Sequence, residues 1–378
     1  MSKVKIICII LFALVITANI ASSQEFKFIA MTDSRGAYNG VNEPVLSAFI
    51  QHILKEQTDA KFVLFPGDMV NGSKTDPENT FKQLEHWKNV MAPIYNNPSM
   101  FEPRVYVTVG NHEINHRYDE DNFRKQFSYL HQNGPEDEKG LTYSFDYNKA
   151  HFVFITCNRW YYGDLNDTTD DRRDWRYIKH LAWLNNDLKE ARERGSKWIF
   201  VLSHEPAYPI GGHLRDCLPN LGGNLTLPLS IIRLWYLSQR DMFWDILVEN
   251  KVTAYICGHE HLYGRQSVEG VYQIVTGSAG APIYNFNPTY SNDNNNSTDL
   301  EISYNDALPY YEVLNYNYGP GKNSQRSDDF VGFRAFNYTV FDVKDAKVVV
   351  NVYGAFPKEG NNSEMGGEIN MIDTFVIE

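Results

Sequence analysis

Short apolar runs alternate with longer amphipathic stretches from residue 26 to residue 280. Apolar runs bounded by Gly, Pro, Asp or Asn are typical of buried strands, whereas apolar residues spaced three and four apart predict helices. The predicted strands cover residues 26–32, 61–65, 104–109, 198–202 and 252–257. The predicted helices cover residues 43–57, 77–95, 173–194 and 229–250, and residues 119–131 form an acidic or helix-starting stretch. The pattern predicts a sheet whose strands are separated by helices.

The remaining segments are predicted to form mostly strands and loops. The additional strands are a hairpin at residues 142–146 and 151–157, a strand at 271–275, and β-rich runs at 331–343, 346–353 and 371–377. Residues 285–298 are rich in Asn and predict a surface loop. Residues 304–329 are aromatic and irregular, so they form either a wall of a binding cleft or a packed surface loop. The chain has no evident linker or internal repeat, which favours a single domain after residue 23.

Five predicted strands end in polar residues of the kinds that bind metal ions or transfer protons. These residues are Asp33, Asp68, Asn111, His204, and the pair His259 and His261 in the block Gly258-His259-Glu260-His261. Loops at the carboxyl ends of such strands lie along one edge of a sheet, so side chains far apart in sequence converge there. Asp and Asn also favour turns, but coincidence at five strand ends is the weaker explanation. We therefore predict one site at this edge.

The composition is that of an ordinary globular protein with an acidic charge balance. Of the 378 residues, 43% are hydrophobic, which suffices for a large core. The formal net charge is -12 and the pI is about 5.4. Proteins that depend on the nucleic-acid backbone for affinity need clustered Lys and Arg, so nucleic acid is not the expected partner. An anionic substrate would need local positive charge in the site.

Residues 1–23 have the features of a secretory signal peptide. Lys3 and Lys5 precede an apolar stretch over residues 6–16, and small residues follow up to Ser23. The alternative is an uncleaved membrane anchor, but the apolar stretch is shorter than the ~20 residues that a span needs. We therefore predict a secreted or extracytoplasmic protein with no membrane span once the signal is removed.

Export would expose sequons and cysteines to modification. In a eukaryotic host, glycosylation is predicted at the Asn-x-Ser/Thr sites, which are Asn71, Asn166, Asn224, Asn295, Asn296, Asn337 and Asn361. Cys157, Cys217 and Cys257 follow the signal, so at most one internal disulfide can form. Cys157 and Cys257 end apolar strand-like runs, which predicts that both are buried structural thiols.

The polar blocks resemble those of the calcineurin-like metallophosphoesterase superfamily in order and spacing. They are Asp33, Gly67-Asp68, Gly110-Asn111-His112-Glu113, His204 and Gly258-His259-Glu260-His261. The resemblance covers about residues 26–280, and the layout is similar to that of purple acid phosphatases. It implies a four-layer α/β/β/α sandwich of two mixed sheets flanked by helices. It also implies a single metallophosphoesterase domain over residues 24–378, with a two-metal site at the edges of the sheets.

The resemblance assigns a role to each block. Asp68 would bridge two divalent ions, the second ion would also be bound by Asn111, His204 and His259, and the first ion by Asp33 and His261. Carboxylates neutralise and bridge cations, while imidazole and amide groups suit Zn, Mn or Fe without adding charge. Such ions can activate a hydroxide that attacks the phosphoryl group.

Two further histidines are candidates for contact with the substrate. His112 resembles the family histidine that protonates the leaving alkoxide or steadies the transition state, and the alternative is a hydrogen-bonding role beside the ligands. His213 lies nine residues after His204, in a Gly-Gly-His loop, and either faces the substrate phosphate or lies on the surface.

The first block departs from the Asp-x-His pattern of much of the superfamily, because it is Asp33-Ser34-Arg35. Arginine stays cationic and cannot act as a metal ligand. Two hypotheses follow. Arg35 either contacts the substrate phosphate beside a weakened first metal site, or turns away while another residue completes the coordination of that ion.

A second departure concerns the purple acid phosphatase branch. Its members carry an iron-binding tyrosine three residues after the second aspartate, and here that position is Asn71. We therefore expect no visible absorption from a tyrosine-to-iron bond.

The sequence thus predicts a secreted hydrolase of small phosphate mono- or diesters that uses a metal-bound hydroxide and one or two divalent ions. The alternative is a non-catalytic binding or surface protein that keeps the fold. The block Gly277-Ser278-Ala279-Gly280 lacks the spacing of a nucleophile elbow. The chain also lacks a Walker-type loop and a dinucleotide fingerprint, and no histidine is paired in sequence with Cys157 or Cys217.

Overall fold

The computed structural model describes residues 25–116, 118–157, 177–208, 210, 229–284, 324–326 and 330–378. Several of the sequence interpretations fall outside these residues. They concern the site residue His213 and Cys217, the signal peptide at residues 1–23, the sequons at Asn166, Asn224, Asn295 and Asn296, and the segments at residues 285–298 and 304–323.

The described residues form a mixed α/β structure. The strands are β1 Phe26–Ala30, β2 Arg35–Gly36, β3 Gly40–Val41, β4 Ala60–Pro66, β5 Val105–Thr108, β6 Tyr143–Tyr147, β7 Ala150–Phe154, β8 Trp198–Leu202, β9 Ala254–Cys257, β10 Tyr263–Val268, β11 Val271–Thr276, β12 Ser324–Arg326, β13 Phe330–Phe333, β14 Phe336–Val343, β15 Val348–Ala355, β16 Pro357–Lys358, β17 Asn361–Met365 and β18 Asn370–Ile377. The α-helices are α1 Glu43–Glu56, α2 Pro77–Val90, α3 Ala92–Tyr95, α4 Asp119–Gln126, α5 Leu181–Glu193 and α6 Leu229–Glu249. Short 3₁₀ helices cover Asn111–Ile114 and Glu136–Glu138.

Two large mixed sheets form the centre of the fold. The first sheet has the order β18-β15-β14-β1-β4-β5, and the second has the order β12-β13-β10-β11-β9-β8-β7-β6. In the first sheet β1, β4 and β5 are parallel, while β14, β15 and β18 pair antiparallel. In the second sheet β7, β8, β9 and β11 are parallel, with antiparallel partners at both ends.

Alternating side chains place each sheet between two apolar layers. Phe152 and Phe154 of β7 belong to the core that includes the space between the sheets, whereas Val153 lies in the core under α5 and α6. Successive residues of a strand point to opposite faces, so strands buried on both sides are continuously apolar. Helix α1 covers the first sheet through residues such as Phe49 and Ile53. The expected four-layer α/β/β/α sandwich is confirmed.

Phe28 of β1 joins the two sheets at the centre of this sandwich. Its ring stacks on that of Phe341 at 4.5 Å between centroids and meets the rings of Phe200 and Phe152 edge-on at 4.9 and 5.1 Å. Phe200 and Phe152 belong to the second sheet, whereas Phe28 and Phe341 belong to the first. Such aromatic pairs add packing energy beyond the area that they bury.

The predicted helix at residues 77–95 is wrong in one respect, because it is divided into α2 and α3 at Met91. Pro93 lacks a backbone N–H, and within a continuous helix its ring would clash with the carbonyl of Asn89. Pro93 fits instead in the first turn of α3.

The start of the predicted helix at residues 173–194 is also wrong. Helix α5 begins at Leu181, and the non-helical residues before it include Tyr177, whose hydroxyl donates to the Glu205 carbonyl at 2.8 Å. This tertiary hydrogen bond and the burial of Ile178 hold the preceding segment against the core instead.

Strand β10 has no counterpart among the predicted strands, because its central residues are polar. Arg265 forms an ion pair with Asp373 at 2.7 Å, and the Gln266 amide donates to the Tyr208 carbonyl at 3.0 Å. These contacts satisfy polar groups inside a sheet, where local sequence alone favours a loop.

The two sheets meet at the edge where the candidate residues lie. Thr32, just after β1, forms a parallel bridge with Gly277, just after β11. The carboxyl ends of β1, β4 and β5 therefore face those of β8, β9 and β11. None of the described helices combines the length and apolar character that a membrane crossing requires.

Replacing Phe28 with Ala removes the ring that contacts both sheets. We expect Phe28→Ala to lower the free energy of unfolding by ~3–5 kcal/mol, because the cavity lies where neither sheet can collapse. Urea denaturation measures this loss. Phe356, which is 40% exposed, is the matched control, and Phe356→Ala should change stability by less than ~1 kcal/mol. Equal losses in the two variants would contradict the central position of Phe28.

Candidate metal centre

Three of the predicted ligands have an unusual backbone conformation. Asp33, Asp68 and His259 have positive φ angles of 56°, 52° and 67°. This left-handed region is uncommon for residues with a side chain and costs of order 1 kcal/mol or more. Each residue lies just beyond the end of its strand, so the turn directs its side chain back across the edge of the sheets.

The loops that carry these residues contact one another directly. The Asp33 N–H donates to the Gly67 carbonyl at 3.3 Å, and the Gly258 N–H donates to the His204 carbonyl at 2.8 Å. A Cβ atom at Gly258 would overlap the side chain of Asp33. Glycine is therefore needed for the loop after β9 to approach the loop after β1.

Two groups of side chains bring possible metal ligands together. Asp68, His204 and His259 form one group, and Asp33, Asp68 and His261 form the other. Within each group one ligand atom of every residue lies within 4.8 Å of the others, and all five residues are buried. Asp68 belongs to both groups, which is the position that a bridging carboxylate would take.

The Asp68 carboxylate in the first group favours a positive charge at the Nε2 atom of His204. The Nδ1–H of His204 donates to the Pro66 carbonyl at 3.0 Å, so its Nε2 atom faces the Oδ1 atom of Asp68 at 3.1 Å. Burial lowers the pKa of His204, but the Asp68 carboxylate outweighs burial and raises the pKa to about 10. A positive charge at Nε2, whether a proton or a metal ion, is therefore strongly stabilised.

Asn111 supplies the clearest indication that the group fits a metal ion. Its Oδ1 atom is buried and, within the described residues, accepts no hydrogen bond. Buried amide oxygens are normally paired, and a carbonyl oxygen is a suitable ligand for a divalent cation. The next residue, His112, donates its backbone N–H to Asp68 Oδ1 at 3.1 Å, which places Asn111 beside this group.

The second group contains a buried carboxylate that one imidazole approaches. His261 donates its Nδ1–H to the Pro282 carbonyl at 2.9 Å and directs Nε2 to within 3.6 Å of Asp33 Oδ1. The Asp33 carboxylate accepts the backbone N–H of His259 at 3.0 Å. Burial raises the pKa of Asp33 to about 6, against the opposing charge of His204.

His112 and Arg35 lie at the solvent side of the site. Their side chains are 24% and 21% exposed, whereas the Asp68 side chain between them is 2% exposed. The Arg35 Nε and the His112 Nε2 lie 3.7 and 3.9 Å from Asp68 Oδ2. The Nδ1–H of His112 donates to the Asn71 carbonyl at 2.7 Å, and burial lowers the pKa of His112. The Arg35 side chain therefore faces the site and is not turned away from it.

Sequence reasoning missed the organising role of Glu113. Its carboxylate accepts the backbone N–H groups of Asp68 at 2.8 Å, Gly110 at 2.8 Å and Val70 at 3.1 Å. It therefore fixes the loop after β4 against the loop after β5. The signal was present, because an acidic residue three positions after Gly110 can accept N–H groups that a helix start leaves unpaired.

Tyr284 was also missed. Its ring stacks on His261 at 4.1 Å between centroids, and the Arg35 Nη2 donates to its hydroxyl at 3.3 Å. The residue directly precedes the predicted Asn-rich loop, and no motif marks it.

The structure corrects one of the glycosylation predictions. The Asn337 side chain is buried, and its amide donates to the Gly277 carbonyl at 2.8 Å and to the Ala335 carbonyl at 3.0 Å. Both amide hydrogens are therefore used within the fold, so this nitrogen is not available for a glycan. Asn71 and Asn361 are the other sequons among the described residues, and their glycosylation stays a prediction.

The cysteine prediction is confirmed for the two cysteines that the structure describes. Cys157 and Cys257 are buried free thiols, and burial raises the pKa of each.

Replacing Glu113 with Gln tests whether one carboxylate fixes the two loops. The amide NH₂ group would face backbone N–H donors, so we expect a loss of ~1–3 kcal/mol in the free energy of unfolding. Chemical denaturation of the metal-free protein measures this loss. Glu136, whose side chain is 89% exposed, is the control, and Glu136→Gln should leave stability unchanged. An unchanged stability for Glu113→Gln would contradict its role.

The chain is similar in sequence to known acid phosphatases. The chain is 28% identical to "Acid phosphatase type 7" of Homo sapiens over 188 residues, which are 48% of this chain and 37% of the relative. It is 24% identical to "Purple acid phosphatase 7" of Arabidopsis thaliana over 271 residues, which are 70% of this chain and 72% of the relative. The chain thus spans less than half the length of the human relative.

Solved structures share the fold at low sequence identity. A purple acid phosphatase from yellow lupin (Lupinus luteus) has a TM-score of 0.58 at 14% identity and covers 94% of this chain and 54% of its own. A dimetal phosphatase from Danio rerio has a TM-score of 0.51 at 14% identity, with coverages of 92% and 98%. GAP50 of Plasmodium, described as an anchor in the inner membrane complex, has a TM-score of 0.51 at 15% identity, with coverages of 94% and 89%.

A family model provides the assignment. The model described as "Calcineurin-like phosphoesterase" matches residues 26–263, which is more than half of the chain and includes every predicted metal ligand. This match confirms the resemblance that the polar blocks indicated. The chain belongs to the calcineurin-like phosphoesterase family.

Proposed function

We propose that the chain is a metal-dependent phosphoesterase that hydrolyses small phosphate mono- or diesters. The observation that carries this proposal is the pair of ligand groups that share Asp68, together with the unpaired Oδ1 of Asn111. The donor atoms are carboxylate, imidazole and amide groups. This set suits Mn, Zn or Fe.

Each buried side chain then has a role toward a metal ion. Asp68, Asn111, His204 and His259 would hold one divalent ion, and Asp33, Asp68 and His261 form the second group. A divalent ion in such a site lowers the pKa of water and polarises a phosphoryl oxygen. The hydrogen bonds from His204 to Pro66 and from His261 to Pro282 fix which ring nitrogen faces the site.

The solvent side of the site favours an anionic group. Arg35 and His112 flank Asp68 Oδ2, so a phosphoryl group that enters there meets the N–H donors of Arg35 and the imidazole ring of His112. The Nδ1–H of His112 is held by the Asn71 carbonyl, which leaves Nε2 directed at the site to exchange a proton with the leaving oxygen. We assign substrate contact to Arg35, and His213 keeps that assignment as a sequence-based proposal. The acidic overall charge favours small esters over nucleic acid.

The domain and localisation proposals rest on sequence features at both ends. Strands β14, β15 and β18, which follow the region matched by the family model, belong to the same sheet as β1, and this supports a single domain over residues 24–378. The basic residues and apolar run of residues 1–23 support export as a secreted or extracytoplasmic protein.

Metal removal tests the proposed activity. We expect chelator-treated protein to lose hydrolysis of p-nitrophenyl phosphate or bis-p-nitrophenyl phosphate and to regain it with Mn, Zn or Fe. His204→Ala should retain less metal after dialysis, because one ligand is lost, whereas the control His86→Ala should match the unmodified chain. Failure of every metal on both esters would contradict the proposal and favour a non-catalytic binding protein that keeps the fold.

A second experiment concerns His112. We expect His112→Asn to lower kcat by ~100-fold or more, because the group that would exchange a proton with the leaving oxygen is lost, while metal content per chain stays unchanged. Steady-state kinetics and elemental analysis of the same preparation measure both quantities. His116→Asn serves as the control four residues along the chain. A kcat within about threefold of the unmodified enzyme would exclude a proton-transfer role.

A further inference from the structure

The Arg35 guanidinium lies where a first metal ion would meet its ligands. Its Nε atom is 3.7 Å from Asp68 Oδ2, and its Nη2 atom is 3.4 Å from His261 Nε2 and 3.3 Å from the Tyr284 hydroxyl. Asp68 and His261 both belong to the group that would bind this ion. Arg35 therefore contacts two of the three side chains in the group.

Arg35 also forms a hydrogen bond with the Nε2 lone pair of His261, which a metal ion would need. The Nδ1–H of His261 donates to the Pro282 carbonyl, so in the neutral ring the Nε2 atom is the acceptor. The Arg35 Nη2–H donates to this acceptor. A metal ion bound to His261 would have to displace that hydrogen bond and would then lie beside a fixed positive charge.

We propose that the Arg35 guanidinium takes the place of the first metal ion, so that the chain binds a single tightly held divalent ion in the Asp68–His204–His259 group. The guanidinium neutralises the Oδ2 side of Asp68, which the first metal ion would otherwise neutralise. This inference deepens the proposed function and rests on it for the identity of the substrate.

Asn71 holds Arg35 in this position. The Asn71 amide donates to the carbonyl of Gly36, directly after Arg35, and the Asn71 N–H donates to the carbonyl of Gly40 at 3.0 Å. Gly36 and Gly40 are paired across β2 and β3. Asn71, which stands at the position of the iron-binding tyrosine of purple acid phosphatases, therefore stabilises the turn that carries Arg35. The two departures from the family pattern are thus linked by hydrogen bonds.

One edge of the guanidinium is left for the substrate. The Arg35 Nη1 atom makes no hydrogen bond with the described residues, whereas Nη2 binds His261 and Tyr284. Arginine presents paired N–H groups that match phosphoryl oxygens. Arg35 would thus supply both the charge and the oxygen contact that a first metal ion provides in a two-metal site.

Metal stoichiometry tests this inference without using activity. Chelator-treated full-length protein is titrated with Mn²⁺ and with Zn²⁺ by calorimetry, and the bound metal is counted by elemental analysis after dialysis. We expect about one tight ion for the unmodified chain and about two for Arg35→His, whose second ion should bind at least ~10-fold more tightly than in the unmodified chain. Arg35→Gln removes the charge and the guanidinium group without adding an imidazole ligand, and it should also strengthen second-ion binding.

The control is Arg265→His, which removes an arginine paired with a buried aspartate away from the site and should keep about one tight ion. The thermal transition of each variant confirms folding, and Arg35→Gln decides the question if Arg35→His does not fold. Two equally tight ions in the unmodified chain, or unchanged binding in the folded Arg35 variants, would overturn the inference. Hydrolysis on the same preparations is scored separately, so a loss of the proposed function is distinguishable from a wrong role for Arg35.

Discussion

The buried carboxylate of Asp68 holds together the edge of the two sheets where the candidate site lies. A buried charge must be neutralised, and Asp68 meets His204 on one oxygen and Arg35 and His112 on the other. These partners come from different strand ends, so neutralising Asp68 joins loops that are far apart in the chain. The same contacts create the place where we propose that a divalent ion binds.

The scaffold keeps this edge rigid through contacts made away from the ligand atoms. Glu113 ties the loops after β4 and β5 together through three backbone N–H groups, and Phe28 packs the two sheets against each other. Positive φ angles at Asp33, Asp68 and His259 store strain that these contacts offset. The proposed ligands are therefore held in place by the protein itself, which would reduce the entropy cost of binding an ion.

The apolar strands that end in polar residues predicted a sheet with helices between its strands and a candidate site at one edge, whereas the four-layer sandwich was predicted from the family resemblance. The convergence of Asp33, Asp68 and His204 follows from that pattern alone. Contacts that depend on tertiary structure could not be predicted. The break at Met91, the non-helical segment before α5, the polar strand β10 and the stacking of Tyr284 on His261 each satisfy a partner that lies far away in sequence. The burial of the sequon at Asn337 could not be predicted for the same reason.

The central claim is that Asp68, Asn111, His204 and His259 form a metal site. Anomalous X-ray diffraction from crystals soaked in Mn²⁺ or Zn²⁺ tests it most directly, because the signal locates the ion independently of any activity. The account predicts a strong anomalous peak enclosed by the four side chains, with Asn111 Oδ1 among the ligands. A peak at other residues, or no peak at this position at a saturating metal concentration, would contradict it.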